Sequence, residues 1–199
     1  MDRLSVVAPA LLYTCCALGA AACDERPNPA TKPPEGRVNA VLASAKKTSF
    51  ADLCDVAPQP AKPFTWPELS AGDPGPASHY RWVNVWATWC KPCVEELPLL
   101  TRSFADWKKH GQQVSLTLVS VDADSAAAKT FVESRPGLPA TLQLKEAGSA
   151  GDWLDKIGLA SGSAIPVHIV LNDHDQLLCA RSGGISQTDL DRFHRALFP

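Results

Sequence analysis

The most constraining feature of this sequence is a C-x-x-C at the point where an apolar strand hands over to a helix, within Val83-Asn84-Val85-Trp86-Ala87-Thr88-Trp89-Cys90-Lys91-Pro92-Cys93. Residues after this point keep alternating between strand and helix patterns. Periodicity predicts a strand over 81–87, a helix over about 93–110 and a strand over 113–121. A helix over 125–134 follows, opened by the acidic turn at Asp122 and Asp124. Next come a short strand at 140–144, a helix near 151–157, a hairpin of 167–171 and 177–181 turning at Asn172-Asp173-His174-Asp175, and a final helix at 187–197. The order β-α-β-α followed by β-β-α predicts an α/β fold with a central mixed sheet flanked by helices on both faces. The stretch from 50 to 79 is rich in Pro, Gly and Asp, with Phe64-Thr65-Trp66 as its one strand-like piece, and predicts an irregular or hairpin-like approach.

Two residues between cysteines let both sulfurs meet across the first helical turn, while the helix N-terminus stabilises negative charge on the first. Cys90, the more exposed of the two, is therefore expected to attack a partner disulfide and Cys93 to resolve the mixed disulfide. Half a zinc site looks the same, but zinc needs two further ligands. The chain has no second C-x-x-C and no H-x₃-H pair, so no metal is assigned.

The first 22 residues set the compartment. Met1, Asp2 and Arg3 precede an apolar stretch that ends in Gly19-Ala20-Ala21-Ala22-Cys23, which reads as an export signal. The small residues before Cys23 resemble a lipoprotein signal, in which cleavage leaves a lipidated Cys23, although Ala20 stands where Leu is usual. Ordinary signal-peptidase cleavage and an uncleaved anchor are the alternatives, and all three place the body outside the cytoplasm. The expected organisation is a signal at 1–22, a Pro-rich tether at 23–49 and a folded domain at 50–199. Cys15 and Cys16 leave with the signal and Cys23 would carry the lipid, so Cys54, Cys90, Cys93 and Cys179 remain. In an exported protein the neighbours Cys90 and Cys93 form one couple, which leaves Cys54 and Cys179 for each other or as two buried free thiols. A net charge of −2 without any long basic run argues against nucleic acid as a partner.

The run from Val83 to Cys93, continued by Val94-Glu95-Glu96-Leu97-Pro98 and joined by Ile165-Pro166 at the opening of a later strand, resembles the TlpA/ResA branch of the thioredoxin-like family. The element order from about 60 to 199 fits as well. The resemblance implies a thioredoxin-like fold with an N-terminal extension, extracytoplasmic anchoring and thiol–disulfide reductase activity, often serving cytochrome c maturation or copper-site assembly. It also implies a cis Pro166 facing the sulfurs. Some members carry a second, structural disulfide between the N-terminal segment and the C-terminal hairpin, which Cys54 and Cys179 would supply.

Glu96 matches the family's glutamate and lies one turn past Cys93 on the same helix face, where a desolvated carboxylate could exchange protons with Cys93. Glu95 is expected to face solvent. Asn84 stands where cytoplasmic-type thioredoxins have a buried Asp, which leaves Glu96 as the proton-handling candidate. Trp89 is expected to shield the disulfide and contact partners, Trp86 to lie in the core, Pro92 to limit backbone freedom between the sulfurs, and Pro98 to kink the helix. Ile165 offers a backbone edge to a partner's extended segment. Lys91 could favour the Cys90 thiolate by charge or be simply solvated. His168, two residues past Pro166, reads either as a hydrogen-bonded core histidine or as a proton carrier or incidental metal ligand beside the thiolates. His110, His174 and His194 read as surface residues.

The expected activity is a membrane-tethered, periplasmic thiol–disulfide oxidoreductase without a cofactor, acting as a monomer. Its partners would be disulfide-containing exported proteins, a membrane electron donor, and the membrane itself through the N-terminal lipid or anchor. A disulfide-forming oxidase shares the same layout. A Cu(I) metallochaperone using Cys90 and Cys93, with His168 as an optional third ligand, is the reading from another class, and the absence of any Met beyond the first residue weighs against it.

Overall fold

The computed structural model describes residues 48–76 and 78–199, all within one unit, Ser44–Pro199. The expected export signal, Cys23 and all but the last two residues of the expected tether lie outside the described residues.

Among the described residues seven strands form one sheet: β1 (Lys62–Pro63), β2 (Leu69–Ala71), β3 (Tyr80–Trp86), β4 (Val114–Ser120), β5 (Thr141–Leu144), β6 (Val167–Asn172) and β7 (Gln176–Ser182), in the order β1-β7-β6-β3-β4-β5-β2. Four helices, α1 (Lys91–Lys109), α2 (Ser125–Glu133), α3 (Ala150–Ile157) and α4 (Gln187–Leu197), cover it. β3 is buried from Arg81 to Trp86, as an apolar strand between two neighbours must be. It runs parallel to β4 and antiparallel to β6, with Val85 opposite Val167 and Asn84 opposite His168. That antiparallel register brings the start of β6, and with it Pro166, to the end of β3 from which α1 departs.

Two apolar layers enclose the sheet. On one side Leu100, Phe104 and Trp107 of α1 and Leu190, Phe193 and Leu197 of α4 close on Trp82, Val170 and Cys179. Trp82 stands edge-on to Phe193 and Phe104, with ring centroids 4.8 and 5.6 Å away. In the other layer Ala128 and Val132 of α2 and Trp153 and Leu154 of α3 pack with Val83, Val85 and Ile169. Gly158 ends α3 at φ 100°, a left-handed conformation that suits glycine.

The segment before β3 departs from expectation. Phe64–Trp66 is not a strand, and β1 and β2 do not pair as a hairpin: they add to opposite edges of the sheet, β1 on β7 and β2 on β5. Proline explains the edge positions, since Pro60, Pro63 and Pro67 have no N–H for a central ladder. Phe64 instead turns its ring into the core, 5.2 Å from Trp66 and 6.2 Å from Trp153. The Gln59–Pro60 peptide is cis. Further back, Cys54 is joined to Cys179 of β7 with Cα atoms 5.6 Å apart, and Val56 bridges Ala180.

Candidate active site

Cys90 is the N-cap of α1, and its Sγ accepts a hydrogen bond from Cys93 N at 3.3 Å. Pro92 occupies the first helical turn, where a missing N–H removes nothing the helix needs. The two sulfurs are bonded, with Cα atoms 5.3 Å apart, and Cys93 is fully buried while Cys90 keeps 5 % of its surface. On reduction the positive end of α1 favours a thiolate at Cys90.

The Ile165–Pro166 peptide is cis, and the Ile165 carbonyl oxygen lies 3.7 Å from Cys90 Sγ. Ser182 Oγ donates to Ala164 O at 2.7 Å, and Gly183 N donates to Pro166 O at 2.9 Å, so the end of β7 holds this loop against the sulfurs. Asp55 accepts from Ser182 N at 2.8 Å, which ties the segment next to Cys54 into the same contact. Trp89 is 68 % exposed and is the only large apolar side chain so open among the described residues. It borders a groove of about 680 Å³ lined with Cys90, Pro92, Leu154, Ala164 and Ile165. Lys91 projects into solvent 3.6 Å from Glu95, an exposed pair of small energetic weight. α1 continues through Pro98 to Lys109.

Beneath the sulfurs lies a buried polar cluster. Glu96 accepts from Asn84 Nδ2 at 2.9 Å on Oε1 and from Ile185 N at 3.0 Å on Oε2. His168, with no exposed surface, has Nε2 3.4 Å from Glu96 Oε1, within ion-pair range but without hydrogen-bond alignment. Its Nδ1 accepts from Trp82 Nε1 at 3.2 Å. The loop that delivers Ile185 is closed by Arg181, 3.1 Å from Asp189, and by the Ser186–Asp189 capping box of α4. Burial pushes the Asp189 carboxyl up, but the Ser186 hydroxyl and N–H together with Arg181 outweigh it and hold the group at about 2. Among the described residues no three His, Cys, Asp or Glu side chains lie together as a group that could hold a metal ion.

One contributor was missed at the sequence level. Asp122, read there only as part of a helix-opening turn, is buried and accepts from Thr88 N at 3.0 and 3.1 Å, from Thr88 Oγ1 at 2.7 Å and from Ser120 Oγ at 2.8 Å. It clamps the turn that carries Trp89 and Cys90. An acidic residue directly after a buried strand was the available signal. The surface reading of His194 is corrected too: it is half-buried, 5.3 Å from the Trp107 ring, because the last turn of α4 packs against α1.

No family model matches the chain. The ResA thiol-disulfide oxidoreductase of Halalkalibacterium halodurans is 23% identical over 117 residues, covering 59% of this chain and 61% of that protein. That of Geobacillus kaustophilus is 25% identical over 127 residues, 61% of this chain and 67% of that protein. A ResA of Bacillus cereus is 36% identical over a shorter stretch of 53 residues, 26% of this chain and 28% of that protein. The match thus spans less than two thirds of the first and last of these relatives. Among solved structures, a thioredoxin-family thiol:disulfide interchange protein of Chlorobium tepidum superposes with a TM-score of 0.50 at 17% identity, covering 65% of this chain and all of that one. By structure the chain has the thioredoxin-like fold, and by sequence it is similar to the TlpA/ResA-like thiol-disulfide oxidoreductases.

Proposed function

We propose that this protein is an extracytoplasmic, membrane-tethered thiol–disulfide oxidoreductase that reduces disulfides of exported partner proteins. The observation that carries this is the position of Cys90 and Cys93 at the N-terminus of α1, with Cys90 Sγ 3.7 Å from the Ile165 carbonyl. The reaction follows from that placement. The Cys90 thiolate attacks one sulfur of the partner's disulfide and expels the other as a thiolate, leaving a mixed disulfide. Cys93 gives up its proton, attacks Cys90 Sγ and expels the second partner thiolate. Two electrons pass to the partner, and the Cys90–Cys93 disulfide of this structure is the oxidised product, to be reduced again by a membrane electron donor. Cytochrome c maturation or copper-site assembly would supply such partners. Residues 1–22 would export the chain and Cys23 would anchor it.

The test is the equilibrium reduction potential of the Cys90–Cys93 couple together with turnover on a disulfide-bonded protein substrate. A potential of about −270 mV supports a reductant, and one of about −120 mV makes the protein an oxidant and overturns the direction. Cys90→Ser abolishes turnover and Cys93→Ser accumulates a mixed disulfide on Cys90. A Cys90→Ser variant that still turns over refutes the assignment.

A further inference from the structure

Resting on that reading, we infer that His168 is a positioning residue for the resolving step: a ring locked in one tautomer by Trp82 that steadies the Glu96 carboxylate through Nε2–H. The indole N–H of Trp82 can only donate, so His168 Nδ1, 3.2 Å away, accepts, and the neutral imidazole carries its proton on Nε2. That nitrogen faces Glu96 Oε1 at 3.4 Å and has no other partner among the described residues. An N–H buried so completely and left imperfectly satisfied costs stability, and its placement beside a carboxylate is what a solely structural histidine does not need.

The rest of the cluster fits this role. Glu96 is faced by Asn84 from β3, His168 from β6 and Ile185 N from the loop before α4, and Cys93 stands one turn back on the same helix. Donors therefore meet both oxygens of the Glu96 side chain. In the resolving step the Cys93 proton passes to Glu96, the Cys93 sulfur forms its bond to Cys90 Sγ, and the S–S bond between Cys90 and the partner breaks, with the electron pair leaving on the partner's sulfur. His168 takes up no proton here: with Nδ1 held by Trp82 and Nε2 already protonated, the ring has no free site to accept one. It acts through Glu96, and so on Cys93 and not on Cys90.

The experiment separates the two sulfurs. Reduced protein is mixed with oxidised glutathione in a single turnover, acid-quenched, and followed by mass spectrometry for formation and decay of the Cys90–glutathione mixed disulfide. Alkylation of Cys90 by iodoacetamide is measured alongside. His168→Leu is expected to slow the decay by about fivefold, the loss of the N–H that faces Glu96 Oε1 at 3.4 Å without full hydrogen-bond alignment, while Cys90 alkylation keeps its rate. His168→Gln, which restores an N–H near that position, is expected to recover most of the decay rate. Trp82→Phe, which releases the tautomer without touching Glu96, is expected to slow decay about two- to threefold, and it carries the test if His168→Leu does not fold, as urea unfolding would reveal. Equal decay in wild type and His168→Leu, or in wild type and Trp82→Phe where that variant carries the test, overturns the inference. So does a parallel fall in decay and alkylation, which is the mark of a general structural loss. A wild-type protein that forms no resolvable mixed disulfide overturns instead the reading of Cys90 and Cys93 as an exchange couple.

Discussion

Removing the Cys54–Cys179 cross-link is expected to cost stability without costing chemistry. The two cysteines are 125 residues apart in sequence, and the chain-entropy treatment of a loop that long assigns about 5 kcal/mol to the constraint on the unfolded chain. Residual order in the unfolded state lowers the realised figure, so about 3–5 kcal/mol is expected from the double variant Cys54→Ser, Cys179→Ala. Alanine is chosen at 179 because that position is fully buried in the layer with Trp82 and Phe193, where a serine hydroxyl would add a desolvation cost of its own. Urea unfolding followed by far-ultraviolet circular dichroism gives the free energy, and the substrate-reduction assay gives turnover. The loss should appear in the urea midpoint at little change in slope, with turnover within about twofold, since Asp55, Val56 and their bonds to Ser182 and Ala180 still hold the segment. A loss below about 1 kcal/mol would refute the entropic argument. A folded double variant as inactive as Cys90→Ser would refute the division into a structural and a reactive pair.

Two further outcomes follow from the carboxylates. Asp122→Ala strips acceptors from Thr88 N, Thr88 Oγ1 and Ser120 Oγ, and with the half-buried Thr88 N–H and the buried Ser120 hydroxyl left unpaired it is expected to lower stability by about 1–3 kcal/mol and kcat/KM several-fold, checked by urea unfolding and turnover. An unchanged midpoint would show that the turn before Cys90 is held by something else. Asp189, at about 2 in the folded protein against an ordinary 3.8, contributes stability that is present above pH 3.8 and lost as pH falls from there towards 2. After allowance for solvent screening this is on the order of 1 kcal/mol, so the difference in unfolding free energy between wild type and Asp189→Asn should shrink as pH falls through that window. A difference that is constant with pH would refute it.

The parts of the fold that were legible share one property: they are set by near neighbours. β3 to α1, the 125–134 and 187–197 helices and the hairpin turning at Asn172–Asp175 follow from apolar period, caps and turn residues within a few positions, and their observed bounds agree to within about two residues. β1 and β2 did not follow, because a strand of two or three residues has no period to read and its edge is chosen by which ladder is open elsewhere in the sheet.

The same division runs through the site. The C-x-x-C, its place at the start of a helix, the Glu96 one turn beyond and the burial of Trp86 were all readable in the chain, because each depends on spacing along a single element. Which distant groups meet them was set by how the strands pair. The antiparallel pairing of β3 with β6 brings Ile165 and His168 to Cys90 and Glu96, and the turn after β4 brings Asp122 to Thr88. The tautomer of His168 depends on a donor 86 residues away. Such contacts exist only once the sheet has closed, because a buried polar side chain takes its role from whichever partner the fold places beside it.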